Sequence, residues 1–478
     1  MGKSLDEAVP VTNVAEVVHH GEKLILPEGM SPKQAIELLR RREKYLNAYV
    51  NISEKFDVFP FDGAYGLSQV IIAQYGWAEG VPIQGMFGDT KPQVFKIPIS
   101  PTEKVDVPWG QFQLPNIDGM LSTGLDRSSA GRAVFVLNAE VRRSDEPTIR
   151  ALFDNLRAYL KVNSLYRGKA IKIRFRDDDG DPIAMPEPEF MNLSEVHPDG
   201  LILNDDLTAS LNANLFTPIT RVADCLQNNI KVKRGILLGG NYGTGKTLAA
   251  TVAARLAQDS GITYVYTPRA DELGDAIAFA KQYQSPACVV FCEDIDRQVT
   301  GARTVEMDDI LNILDGIDTK SENIITVLTT NHLDNVNQAM LRPGRLDAII
   351  NVEEPDAKTA ERLVRHYGGN AINPEEDLTP VGEALKGQIP AVIEESVKRA
   401  KLFQLAMLDK GHAVADITAE ALRQASVTMT TQIELLAEKT VAETPTVDKA
   451  LGEVVELQIS KSVGKEVTKS LEKRFGAA

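Results

Sequence analysis

The chain has 478 residues, enough for roughly two to four domains that each bury a core. Its 67 Asp and Glu residues outweigh 52 Lys and Arg, and the formal net charge of -15 excludes a surface built mainly to neutralise nucleic-acid phosphates, leaving room only for a local basic pore. Three cysteines, Cys225, Cys288 and Cys292, are too few for a disulfide framework. No apolar run approaches the roughly 18 residues that span a bilayer, and MGKSLDEAVP lacks the apolar stretch of a signal peptide, so the expected location is the cytoplasm.

Residues 1–30, with Pro10 and Pro27 and little periodicity, read as a loosely ordered arm. Ser31 followed by Pro32 is a helix start, and the spacing of Ile36, Leu39 and Tyr45 predicts a helix over residues 32–46. Between Val81 and Leu125, Gly and Pro among β-formers predict short strands and loops. Residues 133–141, 146–160 and 170–175 then read as strand, helix and strand, which makes 31–181 an α+β domain with no catalytic constellation. The acidic run Asp177-Asp178-Asp179-Gly180-Asp181 lacks the spacing and closing Glu of a calcium loop, so it reads as a solvated turn. Residues 182–200 look like a linker.

From Leu201 the rhythm changes to alternating strands and helices, the pattern of a parallel, doubly wound α/β sheet. Residues 201–355 are expected to form a large nucleotide-binding subdomain, 356–440 a helical lid and 441–478 a helical tail. The tail's amphipathic residues Leu451, Val454, Val455 and Ile459 suit either a docking helix or an ordinary solvated one.

The chemistry is concentrated in that second half. Gly240, Asn241, Tyr242, Gly243, Thr244, Gly245, Lys246 and Thr247 fit the phosphate-cradling pattern G-x-x-x-x-G-K-[ST]. They follow the apolar run 235–239, which reads as a buried strand, and precede an alanine-rich helix opening at Leu248. Glycines let successive N–H groups turn inward around phosphate oxygens, and the helix points its positive end at them. Lys246 would reach the β- and γ-phosphates of ATP, and Thr247 would place its hydroxyl on Mg²⁺. A second strand, 287–292, ends in Glu293-Asp294-Ile295-Asp296, where one carboxylate can hold Mg²⁺ through water and the next can orient the attacking water. A third, 324–329, ends in Thr330-Asn331-His332, and Asn331 is placed to bond the γ-phosphate or the lytic water. Arg342 and Arg345, around Pro343-Gly344, are spaced to stabilise charge on a transferred phosphoryl group.

Together these residues resemble the AAA family of AAA+ ATPases over about 201–436, roughly half of the chain. By that resemblance GNYGTGKT is Walker A, VVFCEDID is Walker B, TTNH carries the first sensor and LRPGR the arginine fingers. Leu314-Asp315-Gly316 looks like the intersubunit signalling segment. Pro390 and Ala391, after Gly387-Gln388-Ile389, fall where the second sensor opens the lid helix. The resemblance implies ATP and Mg²⁺ as cofactors and a homo-oligomeric ring, usually of six subunits, in which Arg342 and Arg345 reach a neighbour's ATP.

Two departures stand out. The usual Walker B order is Asp then Glu, whereas here Glu293 would serve the metal and Asp294 the water, a change in reach of about 1.5 Å that a small backbone adjustment can absorb. The Glu-Asp order with TTNH is similar to the mitochondrial AAA subfamily that moves folded Rieske protein across a membrane, but that subfamily's membrane helix is missing, so its substrate and location do not carry over. The aromatic-hydrophobic-glycine step of protein-threading motors is also absent from 262–286. Tyr264-Val265-Tyr266 alternates like a sheet strand. A second pore loop could lie at 298–304, with Arg303 as its contact. The leading expectation is a ring-forming ATPase that remodels a protein partner recruited by residues 31–181. The alternatives are a nucleic-acid motor, disfavoured by charge and by the lack of a nucleic-acid-binding motif, and a slowly hydrolysing, nucleotide-switched scaffold.

Overall fold

The computed structural model describes residues 15–19, 22–26, 30–85, 88–90, 93–128, 132–295, 323–333, 346–408 and 413–429. They fall into two compact units. The first combines Met1–Pro198, Leu211–Gly239 and Thr247–Ile350, and the second Asp199–Ser210, Gly240–Lys246 and Asn351–Ala478.

The first unit opens with an antiparallel hairpin, β1 (Ala15–His19) and β2 (Glu22–Leu26), with Ala15 opposite Leu26. Paired backbone thus stands over residues 15–19 and 22–26, where a loose arm was expected. Helix α1 (Pro32–Leu46) has the predicted start: Ser31 Oγ accepts from Gln34 N at 3.4 Å, and Gln34 Oε1 accepts from Ser31 N at 2.9 Å. A five-stranded sheet follows, ordered β3-β11-β10-β9-β4 from β3 (Tyr49–Phe56), β4 (Glu79–Gly80), β9 (Gln111–Gln113), β10 (Gly119–Arg127) and β11 (Ala133–Arg142). Two short ladders, β5 (Ile83–Gly85) with β6 (Gly88–Thr90) and β7 (Gln93–Pro98) with β8 (Lys104–Trp109), interrupt it in the chain. Helices α2 (Pro60–Tyr75) and α3 (Glu146–Val162) pack on β11. Gly63 permits the close approach, since a Cβ there would lie 2.1 Å from the Phe135 ring.

The second sheet of this unit has seven strands, ordered β13-β12-β15-β16-β17-β14-β18. They are β12 (Ala170–Lys172), β13 (Glu189–Phe190), β14 (Arg234–Gly239), β15 (Thr263–Thr267), β16 (Cys288–Cys292), β17 (Ile324–Thr330) and β18 (Ala348–Asn351). Strands β12, β15, β16, β17 and β14 run parallel, and β13 is antiparallel to β12. The short helices α4 (Asp205–Leu211), α5 (Thr217–Thr220) and α6 (Val222–Gln227) precede β14 in the chain; α7 (Lys246–Asp259) follows it, and α8 (Leu273–Gln282) joins β15 to β16.

Here the structure departs from the boundaries read at 181 and 200. Ala170 pairs with Tyr264 and Lys172 with Tyr266, while Ile171 pairs with Phe190 from the expected linker. The short apolar run at 170–171 is buried in the nucleotide-binding sheet rather than in a separate domain. One apolar core runs from Ile52, Phe56 and Phe135 through Phe59, Tyr166 and Phe279 to Cys288 and Val290.

A polar knot sits inside that core. Asp62, in the first turn of α2, is fully buried; it accepts from Leu165 N at 2.8 Å and Ser164 Oγ at 2.7 Å, and is hydrogen-bonded to the Tyr283 hydroxyl. Phe59 N donates to that hydroxyl at 2.7 Å. Burial pushes the Asp62 carboxyl up to about 6, against the opposing pull of these donors and of Arg167. A raised folded value means that the group's contribution is fully present below its unfolded value of 3.8 and is lost as pH rises through about 6. The stability of the chain relative to Asp62→Asn is therefore expected to fall by about 2 kcal/mol between about pH 4 and pH 7. Denaturant titrations at each pH measure this, and parallel curves for the two proteins would contradict it.

The second unit is helical: α9 (Ala357–Gly368), α10 (Thr379–Leu385), α11 (Pro390–Met407) and α12 (Ala419–Val427). Its core is built from Leu363, Val364, Leu378, Val381, Ile393, Val397 and Leu422. Asp356 caps α9 by accepting from Thr359 N at 2.7 Å. Residues 430–478, including the expected amphipathic tail, lie outside the described residues.

Candidate nucleotide site

The loop after β14 belongs to the second unit as far as Lys246. It turns on glycines in conformations that L side chains rarely adopt, with φ of 141° at Gly240, 78° at Gly243 and 109° at Gly245. A Cβ at Gly240 would also lie 2.3 Å from the Val352 carbonyl oxygen. Lys246 is buried, and its Nζ donates to the carbonyls of Gly240 at 2.7 Å and Asn241 at 2.8 Å. Thr244 Oγ1 donates to Asn241 O at 3.0 Å, and Asn241 Nδ2 to Glu354 Oε1 at 2.7 Å. The cradle is therefore preformed around its own lysine. A Cβ on Gly243 would lie 2.9 Å from Ile389 Cδ1, and Ile389 immediately precedes α11, which the predicted Pro390 and Ala391 open. Tyr242 and Leu248 are exposed.

In the first unit, β16 is fully buried and delivers Glu293 and Asp294 at its C-terminal end. Thr247 Oγ1 donates to Glu293 Oε1 at 2.6 Å. The other carboxylate oxygen, Oε2, accepts from Tyr266 Oη at 2.8 Å. Thr247 and Glu293 thus form a pair of hard oxygen donors that fits Mg²⁺, whose other ligands would be water and phosphate oxygens. Asp294 is set differently. Its φ is 49°, in the left-handed region; its N–H donates to Thr329 Oγ1 at 3.0 Å, and its Oδ1 accepts from Asn331 Nδ2 at 3.0 Å. Both partners come from β17 and the residue after it. The backbone conformation gives a physical reason for the carboxylate order, because Asp enters the left-handed region more readily than Glu does.

Of the residues expected to act together, Thr247 is hydrogen-bonded to Glu293 and Asn331 to Asp294, and the two carboxylates are neighbours in the chain. Arg342, Arg345, Asp296, the 298–304 loop with Arg303, and Leu314-Asp315-Gly316 lie outside the described residues. Tyr266 is the contributor that sequence reasoning missed. Its ring stacks on Phe291, with centroids 5.2 Å apart and planes at 24°. The signal was the parallel register, which sets Tyr266 opposite Phe291 and hence diagonal to Glu293, but register is not readable from one strand. Burial and the adjacent Glu293 push the Tyr266 phenol above its ordinary value, and burial likewise raises the Cys292 thiol, further aided by the carboxylates of Glu272 and Asp271.

A mostly parallel sheet with a lysine-bearing glycine loop between strand and helix, and carboxylates closing a nearby strand, defines a P-loop NTPase core. Residues 236–354 match the family model described as "ATPase family associated with various cellular activities (AAA)". These residues are thus similar to the ATPase domain of the AAA family.

The chain is 30% identical to the ATP-dependent zinc metalloprotease FtsH 3 of Petrotoga mobilis, over 36% of this chain and 29% of that protein. It is 27% identical to the cell division cycle protein 48 homolog of Archaeoglobus fulgidus, over 42% of this chain and 29% of that protein. It is also 28% identical to the 26S proteasome regulatory subunit 4 homolog of Schizosaccharomyces pombe, over 37% and 45%. The similarity spans less than half of each relative's own length. No helix among the described residues is long and apolar enough to cross a membrane.

Proposed function

We propose that this protein hydrolyses ATP with Mg²⁺ in a homo-oligomeric ring, a hexamer in the cytoplasm, and spends that energy on remodelling a protein partner. The observation that carries this reading is the Thr247–Glu293 and Asp294–Asn331 geometry: one carboxylate is bound to the Walker A threonine, and the next is fixed by the first sensor asparagine. Glu293 with Thr247 would hold Mg²⁺, which neutralises charge on the phosphates. Asp294 would orient the attacking water and take up its proton, and Asn331 keeps that carboxylate aimed. Lys246 would exchange its two loop carbonyls for phosphate oxygens. Relatives that include a cell division cycle protein 48 homolog and a proteasome regulatory subunit support work on proteins over work on nucleic acid, as does the net charge.

The residues before β12 would recruit the partner. Because their core is continuous with that of the nucleotide-binding sheet, a load applied there would be felt directly by the strands carrying Tyr266 and Glu293. Arg342 and Arg345 would complete the site of a neighbouring copy. ATP turnover per chain is accordingly expected to rise with protein concentration, and Arg345→Ala to reduce it about 10³-fold at concentrations where the chain is assembled. Phosphate release across a dilution series checks both. Turnover that is independent of concentration and indifferent to Arg345→Ala would overturn the shared site.

A further inference from the structure

We infer that Tyr266 is a positioning residue for the metal-binding carboxylate: by fixing Oε2 of Glu293 it leaves Oε1, beside the Thr247 hydroxyl, as the oxygen offered to Mg²⁺. The inference rests on the ATPase reading above and adds to it a residue that neither the phosphate-loop pattern nor the carboxylate pair includes.

The argument begins in the sheet. Strands β15 and β16 are parallel with Tyr266 opposite Phe291, and side chains two positions apart on a strand share a face. Glu293 is two residues beyond Phe291, so a long side chain at 266 reaches it diagonally. The ring is anchored twice without its hydroxyl, by stacking on Phe291 and by Lys172 Nζ, which lies 5.9 Å from the ring centroid. The half-buried phenol therefore has a fixed direction, and its Oη meets Glu293 Oε2 at 2.8 Å.

Glutamate at this position has one more rotatable bond than aspartate and can swing away from the metal. A charge-assisted hydrogen bond from a rigid neighbour removes that freedom. The contact also holds the carboxylate to one metal-facing oxygen, which suits the strict octahedral geometry of Mg²⁺ better than a chelating carboxylate would. The Glu-then-Asp order and Tyr266 are on this account parts of one arrangement: Asp294 occupies the left-handed position that disfavours Glu, and Tyr266 steadies the longer side chain before it.

Tyr266→Phe keeps the stacked ring and removes only the donor. The test is equilibrium binding of a fluorescent N-methylanthraniloyl-ATP to the full chain, with Mg²⁺ and with EDTA. Tyr266→Phe is expected to bind the metal-free nucleotide like the parent but to lose about tenfold or more of the affinity gained from Mg²⁺. Tyr264→Phe removes a hydroxyl of the same strand that donates to Ala250 O at 2.9 Å, and is expected to keep the whole Mg²⁺ gain. In a Glu293→Asp background, whose shorter carboxylate recedes from the phenol, Tyr266→Phe is expected to change the gain less than about twofold.

A full Mg²⁺ gain in Tyr266→Phe, an equal loss in Tyr264→Phe, or an undiminished effect in the Glu293→Asp background would each overturn the inference while leaving the ATPase reading intact. A parent chain that binds no nucleotide, or gains nothing from Mg²⁺, would overturn both.

Discussion

Asp294→Asn is expected to lower ATP turnover about 10²-fold or more while leaving ATP bound. The substitution is close to isosteric, and Asn tolerates the left-handed conformation that this position adopts, so the backbone has no reason to move. An Asn side-chain oxygen can still accept from Asn331 Nδ2, and the backbone N–H can still donate to Thr329 Oγ1. What disappears is the negative charge that would orient a water and take its proton. The loss should therefore fall on kcat and not on nucleotide affinity, because Lys246 and the 240–247 loop are untouched. Retained ATP with near-parental turnover would reject Asp294 as the water-activating group.

The second large effect concerns the core. Tyr166→Ala is expected to destabilise the first unit by about 3–5 kcal/mol, the range for truncating a large aromatic side chain in a packed interior. Tyr166 is fully buried, and its ring centroid lies 5.7 Å from Phe279, 5.6 Å from Tyr283, 6.3 Å from Phe59 and 5.8 Å from Phe190. These partners come from α8 and its end, from the turn before α2 and from β13, so one cavity loosens both sheets. Trp77 and Trp109 both report on the residues before β12, and Trp109 packs against Phe95 and Phe135. A nucleotide-binding probe reports on the other sheet. In denaturant the two signals should move together, in the parent and at a lower midpoint in Tyr166→Ala. Separate transitions, with only the tryptophan signal shifted, would show two independent cores.

Much of the site was legible because its chemistry is written in consecutive residues. The phosphate-loop pattern fixes Gly240, Gly245 and Lys246, and Gly240, Gly243 and Gly245 all take positive φ, which glycine adopts without strain. Strands such as Cys288–Cys292 and Ile324–Thr330 are short, apolar and β-branched, so their ends located Glu293, Asp294 and Asn331. Tyr266 was read correctly as a strand residue, but its role depends on which strand lies beside it, and that is decided by the whole sheet.

The same reason hid the extent of the first unit. Ala170–Lys172 is a three-residue strand whose partner is some ninety positions away, and an acidic turn followed by a proline-rich stretch after it looks like a boundary. Asp177 in that turn accepts from the N–H groups of Asp179 at 3.1 Å and Asp181 at 2.9 Å, which closes the turn on itself. The hairpin ladder of residues 15–19 and 22–26 escaped notice because AEVVH and EKLIL are short and lack the alternation that marks a strand, and prolines stand at 10 and 27. Asp62 carried no sequence signal, since a carboxylate in the first turn of a helix is ordinarily a solvent-facing cap.

The central claim is that the Glu293-Asp294 order works as a hydrolytic site, and the most direct test is phosphate release from Mg·ATP by the full chain and by Asp294→Asn, measured side by side with the ATP each retains. The account predicts sustained release by the parent, and retained ATP with release slowed about 10²-fold or more in the variant. A parent that binds Mg·ATP without releasing phosphate, or a variant that releases it as fast, would contradict it.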